Sequence, residues 1–356
     1  MAESLGIKYM ERCLDLAVRA EGMTYPNPMV GAVIVYNDRI IGEGYHIRSG
    51  GPHAEVVAIN SVRDKSLLRN STLYVSLEPC SHFGKTPPCA DLIIECGIPR
   101  VVIGTADTSP KVGGAGIARL RAAGLDVVTG LLEENCRRLN RRFFTFNEKK
   151  RPYITLKWAQ SSDRFMDIRR TETSPAGPNW ISGKTERVLV HKWRSEEQAI
   201  LVGAETARID NPSLNVRYWH GKDPAKIILS NSGKIGNYLT NIKTNGTVIV
   251  FTALAGDSSG NLIINQLEKE KPASLQVADY LYGEGIQSLL VEGGAMVISH
   301  FINSGMWDEA RIFTGYREFR DGVRAPEIDG KLIEIKDFDT SRLEIVLNDP
   351  GIKVSN

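Results

Sequence analysis

Thr72-Leu-Tyr-Val-Ser-Leu-Glu-Pro-Cys-Ser-His-Phe-Gly-Lys-Thr-Pro-Pro-Cys89 opens as an apolar run and ends as a loop holding two cysteines. Residues Thr72 to Leu77 read as a buried strand, with the loop as its exit. Upstream lies His53-Ala-Glu55. The imidazole of His53 and the thiols of Cys80 and Cys89 make three soft ligands, a set suited to one zinc ion per chain. Three protein ligands leave the fourth tetrahedral position to water, which marks a catalytic site rather than a structural one. Glu55 is then the spare carboxylate that moves protons to and from that water. The set implies a zinc hydrolase that removes an amino group from a pyrimidine-like ring.

On an ideal helix, residues two apart diverge by roughly 200°. His53 would therefore ligate at a helix mouth while Glu55 reaches the water from the side. Cys89 falls at a predicted helix N-terminus, where the dipole is expected to lower its thiol pKa. Taken singly, each residue reads as well as a small core thiol or a hydrogen-bonded loop histidine. The ordered set carries the metal reading. Cys13, Cys96 and Cys136 read as packing, and His82 is open between substrate contact and solvation. His191, His220 and His300 have no partner that the sequence names.

A length of 356 residues favours two domains. Net charge is only +2, so no broad basic field exists to hold a polyanion, and no nucleic-acid partner is expected. No apolar run is long enough to span a bilayer, so no membrane association is expected either. The first residues lack the basic-then-apolar order of a signal peptide. Five cysteines, two with a better use than disulfides, point to a reducing cytoplasm.

Ile7, Met10, Leu14 and Ala17 fall at helical spacing and predict an opening amphipathic helix ending near Gly22. Val30–Tyr36 and Ile40–Tyr45 predict strands joined at Asn37-Asp38, a hairpin signal. A helix starts at or near His53, and another runs from Cys89 to about Cys96. Strands follow at Arg100–Gly104 and near Val127, with a helix to Ala123 between them. One long polar helix from Leu132 ends in the charged stretch before Pro152. The boundary is placed there, giving domains 1–147 and 148–356. Strand-helix alternation implies a sheet with helices on both faces.

The second half predicts strands at Tyr153–Trp158, Ala199–Ala204, Lys226–Leu229, Thr247–Phe251 and Ser288–Gly294. Helices are expected at Thr185–Trp193 and Ala295–Asn303. Val291-Glu-Gly-Gly294 places backbone amides and a helix start where phosphate could bind. Alone this turn is weak, since such turns carry glycine for ordinary steric reasons. It is not the Gly-x-Gly-x-x-Gly fingerprint, so an orthodox Rossmann domain is not implied. Thr206, Asp210-Asn-Pro-Ser-Leu214 and Arg217 follow a strand end, where ligands of open α/β sheets usually lie.

Zinc deaminases carry His-x-Glu with Pro-Cys-x-x-Cys. Here eight residues rather than two separate the cysteines. With Pro26-Asn-Pro-Met-Val-Gly-Ala32, this loop closely resembles the bifunctional riboflavin-biosynthesis deaminase/reductase family, over essentially the whole chain. The resemblance implies an α/β fold class: an N-terminal cytidine-deaminase-like α/β/α domain plus a C-terminal dihydrofolate-reductase-like α/β domain. It implies zinc at His53, Cys80 and Cys89, with Glu55 catalytic. Asn27, His46, Lys85 and Asp107 would hold the ring and phosphoribosyl group.

In the second half, Leu156-Lys157, Trp180-Ile-Ser, Arg194 and the Glu292-Gly-Gly turn resemble the reductase of that family. NADPH contacts are implied at Ala159, Trp180, Thr206, Asp210 and Gly294. Substrate contacts are implied at Arg194, Leu214, Arg217 and Glu292, the arginines facing a sugar phosphate. The implied chemistry is deamination of 2,5-diamino-6-ribosylamino-4(3H)-pyrimidinone 5′-phosphate, then reduction of its ribosyl group to a ribityl chain. The family's homo-oligomers imply a dimer. Two departures stand out: Ser109 replaces an asparagine, and Ser161-Ser-Asp-Arg164 replaces Ser-Leu-Asp-Gly-Arg.

Two other classes compete. A tRNA-editing zinc deaminase with a C-terminal RNA-binding module would need clustered cations with exposed aromatics. Arg137-Arg138 and Arg141-Arg142 beside Phe143-Phe144 are the nearest match, and their spacing reads as a solvated helix face. A non-catalytic zinc scaffold would release no ammonia.

Overall fold

The computed structural model describes residues 2–81, 87–109, 113–171, 177–230, 242, 246–254, 256, 258 and 260–349. The chain divides into two compact units, one ending at Lys150 and the other beginning at Arg151. The expected break at 147/148 falls inside the helix Arg141–Lys149.

The first unit is built on a five-stranded sheet, ordered β2-β1-β3-β4-β5. Its strands are β1 (Gly31–Tyr36), β2 (Arg39–Tyr45), β3 (Thr72–Leu77), β4 (Arg100–Thr105) and β5 (Asp126–Thr129). The hairpin forms at Asn37-Asp38, both with positive φ (48° and 56°), as a two-residue turn of this hand requires. β1 also pairs antiparallel with β3, whereas β3, β4 and β5 run parallel. Alternation along β1 sends Ala32 and Ile34 to one apolar layer, shared with Ala58, Leu73, Ile93 and Leu120. Val33 and Val35 face the other, with Met10, Cys13 and Cys136. Helices therefore cover both faces, as expected.

The opening helix spans Ala2–Ala17, and a short 3-10 turn follows at Val18–Ala20. Its buried stripe is Tyr9, Met10, Cys13, Leu16 and Ala17, rotated from the expected one, with Ile7 and Leu14 only half-buried. The expected single helix from Leu132 is two, Glu133–Leu139 and Arg141–Lys149, broken at Asn140. The break has a tertiary cause. The Asn140 side chain leaves the helical run to bond both the N–H and the C=O of Met29, each at 2.8 Å. Phe143, Phe144 and Arg142 are buried, and the Arg137 guanidinium lies over the Phe144 ring. The aromatics of this stretch thus form no exposed RNA-stacking surface, while Arg138 stays on a solvated face.

The second unit has, among the described residues, a nine-stranded sheet ordered β11-β10-β9-β8-β12-β6-β13-β16-β15. Its strands are β6 (Tyr153–Gln160), β8 (Ala199–Gly203), β9 (Ala225–Ser230), β10 (Val248–Thr252), β11 (Leu262–Gln266), β12 (Ser288–Val291), β13 (Glu309–Gly315), β15 (Lys331–Asp337) and β16 (Ser341–Leu347). The seven from β11 to β13 are parallel, and β16 and β15 add on antiparallel. A separate ribbon pairs β7 (Phe165–Ile168) with β14 (Gly322–Arg324). Uniformly buried strands such as β8 and β10 explain the short apolar runs in the sequence. Helices at Lys184–Glu196, Ala204–Asp210, Ala273–Gly283 and Ala295–Asn303 flank this sheet. The strand expected to reach Ala204 stops at Gly203, and a helix begins at once.

Candidate functional sites

In the first unit the site lies at the ends of β3 and of two helices. His53 is the N-cap of the helix Ala54–Ser61, so its side chain points out of the helix mouth. Glu55, in the helix's first turn, is buried. Cys80 follows β3 by three residues, and Cys89 starts the helix Cys89–Glu95. The His53 Nδ1 lies 3.2 Å from Cys89 Sγ and 3.5 Å from Cys80 Sγ. All three donor atoms fall within 4.8 Å of one another. A tetrahedral zinc ion with bonds of about 2.0–2.3 Å holds its ligands about 3.6–3.8 Å apart, so this set fits the ion. Among the described residues it is the only group of three such donors.

Burial pushes the Glu55 carboxyl up to about 7. The two sulfurs share one proton: Cys80 is pulled down to about 4 by the Cys89 thiol, with His53 and the Cys89 backbone N–H adding to it. Cys89 is correspondingly pushed up, by that same shared proton and by burial. Its N–H points at Cys80 Sγ, 3.4 Å away, so the helix start also stabilises charge on the neighbouring sulfur.

His46 stands edge-on to His53, with ring centroids 5.5 Å apart. Its Nδ1–H donates to the Pro52 carbonyl (2.9 Å), which leaves Nε2 to accept from the Asn27 amide (3.1 Å). Burial lowers its pKa and keeps this arrangement neutral. Asn27 and His46, both expected to contact substrate, thus meet beside the donor set. Asp107 is buried, and its Oδ1 accepts the backbone N–H of Ser109 at 2.6 Å. That bond needs no particular side chain at 109, so the Ser109 departure leaves the turn intact. Lys85 and His82 lie outside the described residues.

Glu78 has a role that the motif alone did not reveal. Its buried carboxylate accepts four backbone N–H groups, from Asp107, Gly114, Gly116 and Ile117, at 2.9–3.1 Å. It ties the loop carrying Cys80 to the Asp107 turn and to the start of the helix Ala115–Ala122. Gly116 permits this contact, because a Cβ there would sit 2.0 Å from the Pro79 carbonyl oxygen.

In the second unit Thr206, Glu292 and Gly294 lie just beyond the ends of β8 and β12. Glu292 follows β12 directly and bonds Arg194 bidentately, with both N–O distances 2.7 Å. Both side chains are almost wholly buried. The two residues expected to contact substrate separately are therefore one ion pair, on which a ligand would act jointly. Burial opposes the Glu292 charge, and Arg194 more than restores it, holding the carboxyl below its usual range. Lys157, which the sequence marks only as part of a pattern, is half-buried on β6 and feels the charges of both members of this pair, while desolvation lowers its pKa. Its signal was a lysine inside an otherwise apolar strand.

The Gly293-Gly294 turn passes over the helix Ala204–Asp210. A Cβ at Gly294 would meet Thr206 Oγ1 at 3.1 Å, and the residue has φ +71°, a glycine conformation. Thr206 and Gly294 thus adjoin. Leu214 is fully buried beyond that helix. Arg217 is exposed, and its backbone N–H donates to His191 Nδ1 at 3.0 Å. Asp210 is pushed up by burial and faces Arg170 and Asp167. Ala159 packs near Val190, Trp193 and Phe313. Trp180 is exposed on its own loop, with the Arg187 guanidinium 4.5 Å from its ring. The altered Ser161–Arg164 turn is ordered by Asp163, which accepts from Ser161 Oγ and from the backbone of Phe319 and Arg320.

Comparison with known proteins adds to this geometry. Residues 4–105 match the cytidine and deoxycytidylate deaminase zinc-binding region, and residues 152–315 match the RibD C-terminal domain. The riboflavin biosynthesis protein RibD of Aquifex aeolicus is 37% identical over all of this chain and 97% of its own length. That of Bacillus amyloliquefaciens is 40% identical over 86% of this chain and 83% of its own. A solved structure from Thermotoga maritima, a diaminohydroxyphosphoribosylaminopyrimidine deaminase/5-amino-6-(5-phosphoribosylamino)uracil reductase, superposes with a TM-score of 0.87. It is 36% identical, over 98% of this chain and 99% of that one. Acinetobacter baumannii RibD superposes with a TM-score of 0.84 at 28% identity, over 97% and 99% of the two chains.

Proposed function

The chain belongs to the RibD family of bifunctional riboflavin-biosynthesis deaminase/reductases, and we propose from that premise which of its residues perform each reaction. The unit ending at Lys150 would form the deaminase domain and the unit beginning at Arg151 the reductase domain. The substrate would be 2,5-diamino-6-ribosylamino-4(3H)-pyrimidinone 5′-phosphate, a small molecule.

The deaminase assignment rests on one observation above all: three soft donors converge beside a buried carboxylate. His53 Nδ1, Cys80 and Cys89 would hold zinc, which when bound supplies the Lewis acidity that brings water toward neutral pKa. Glu55 lies in the first turn of the helix that His53 caps, so it reaches the same point from the side. It would take a proton from the attacking water and return it to the departing amine. His46 presents a fixed neutral imidazole and orients Asn27, and together they would hold the ring. Asp107, with Lys85, would hold the phosphoribosyl end.

In the reductase, NADPH supplies hydride. Ala159, Trp180, Thr206, Asp210 and Gly294 would line its path, and the adjoining Thr206 and Gly294 support a backbone cradle there. Arg194, Glu292, Leu214 and Arg217 would hold the ribosyl phosphate. Lys157, on β6, adds positive charge near the Arg194–Glu292 pair.

The tRNA-editing reading is not favoured, because the half it assigns to RNA matches a reductase domain. No described helix is long and apolar enough to cross a membrane. We further propose a cytoplasmic location, supported by five cysteines without a disulfide, and a homodimer that binds no nucleic acid. The test combines a metal assay with two turnovers on the purified protein. One zinc per chain, ammonia release from the diaminopyrimidinone and NADPH oxidation with the deaminated product are expected. Zinc without ammonia release would reduce the first unit to a scaffold.

A further inference from the structure

His191 is a buried histidine on the helix Lys184–Glu196, three residues before Arg194. No pattern in the sequence gives it a partner, and the structure sets it against the backbones of Asn215 and Arg217 and the ring of Tyr218. Its Nδ1 accepts the backbone N–H of Arg217 at 3.0 Å, and its ring stands edge-on to Tyr218, with centroids 4.7 Å apart.

It belongs to a set that pins three successive residues. Arg194 Nη1 donates to the Asn215 carbonyl (3.3 Å), Asp223 accepts the Val216 N–H (2.8 Å), and His191 accepts the next. The Arg217 guanidinium, by contrast, is steadied by neutral groups. Its Nη1 donates to Asn215 Oδ1 at 2.6 Å, and it lies 5.7 Å from the Tyr218 ring centre. Among the described residues no carboxylate pairs with it.

We propose that His191 is a positioning residue of the reductase: as a neutral acceptor it fixes the Arg217 segment while leaving that guanidinium's charge uncompensated for an anionic ligand. A carboxylate at 191 could make the same hydrogen bond. It would also attract both Arg217 and Arg194, drawing one from the ligand and competing with Glu292 for the other. Burial, with the two guanidiniums, pushes the imidazole down to about 4, so the acceptor form persists. The inference deepens the proposed role of Arg217 in holding the sugar phosphate and rests on it.

The test is reductase kinetics of the full-length protein with NADPH and the deaminated phosphoribosylamino pyrimidine. Ammonia release from the amino substrate reports that the preparation is intact. His191→Phe keeps a ring against Tyr218 and deletes the acceptor. It should raise the reductase KM about tenfold, with kcat within about twofold and ammonia release unchanged. His191→Gln restores a neutral acceptor and should return KM to within about threefold of the parent. His191→Glu, an acceptor bearing charge, should raise KM at least as far as Phe does, and decides the matter if the Phe variant does not fold. Parent-like KM in the Phe or Glu variant, a loss confined to kcat, or no recovery with Gln overturns the proposal. Arg217→Ala separates the two layers. An unchanged KM there withdraws the arginine from ligand binding, whereas a raised KM beside a silent His191→Phe rejects only the positioning role.

Discussion

Glu55 and His191 show how burial sets what a single side chain can do. Glu55 is buried beside three donors that all favour a cation, and it touches Cys89. Glu55→Gln keeps the shape and the metal ligands but cannot accept a proton. Ammonia release should fall by about 10²–10⁴-fold while zinc content stays at one per chain, read by metal analysis beside the ammonia assay. Full activity in that variant would end the proton-transfer role. His191 carries the opposite lesson, a group kept neutral. Its folded pKa, pushed down to about 4, lies below the usual histidine value, so the unfolded chain binds its proton first as pH falls. Stability present above about pH 6.5 is therefore lost progressively toward pH 4. The urea midpoint of the second unit should fall less steeply over that window in His191→Gln than in the parent. Equal slopes would show that the imidazole is not held neutral by the fold.

At the scale of elements, close backbone approaches decide more than hydrophobic pattern. Gly116 lets the helix Ala115–Ala122 set its first N–H groups on Glu78. In Gly116→Ala the new Cβ meets a carbonyl oxygen that no rotamer can move aside. The cost should be about 1–3 kcal/mol, with weaker zinc retention because Pro79 precedes Cys80. Gly283→Ala, where nothing lies within 4 Å, should change stability by no more than about 0.5 kcal/mol. Thermal unfolding of both variants checks the contrast, and equal effects would refute the packing argument. Local chemistry made some elements legible: the Asn37-Asp38 hairpin by its turn residues, β3 by its apolar run, and Ala295–Asn303 by its helical pattern. Asn140 was illegible, because a polar residue in a polar helix gives no sign that it will bond Met29 across 111 residues. β15 was missed for a related reason. Nearly every residue of that edge strand is exposed, so it carries no alternation to read.

Across the whole molecule, residue type carried the metal site, while geometry was needed for the rest. Two thiols and an imidazole suit few other purposes together, so His53, Cys80 and Cys89 are readable from residue type alone. Arg194 and Glu292 were readable as polar candidates but not as a pair, since 98 residues separate them. That difference has a consequence for the two activities. The donor set is built within the first unit, on β3 and the helices that start at Ala54 and Cys89. The Arg194–Glu292 pair, the Thr206–Gly294 contact and Lys157 all belong to the second unit's own sheet and helices. Removing zinc takes a cation from two sulfurs that then share a proton, and leaves every one of those reductase contacts in place. Exhaustive chelation should therefore abolish ammonia release and leave NADPH oxidation with the deaminated substrate within about twofold of its starting rate. Adding back one equivalent of zinc per chain should restore ammonia release. A parallel loss of both activities on chelation would mean that the metal supports the reductase as well, and the separate assignment of residues to the two reactions would have to be abandoned.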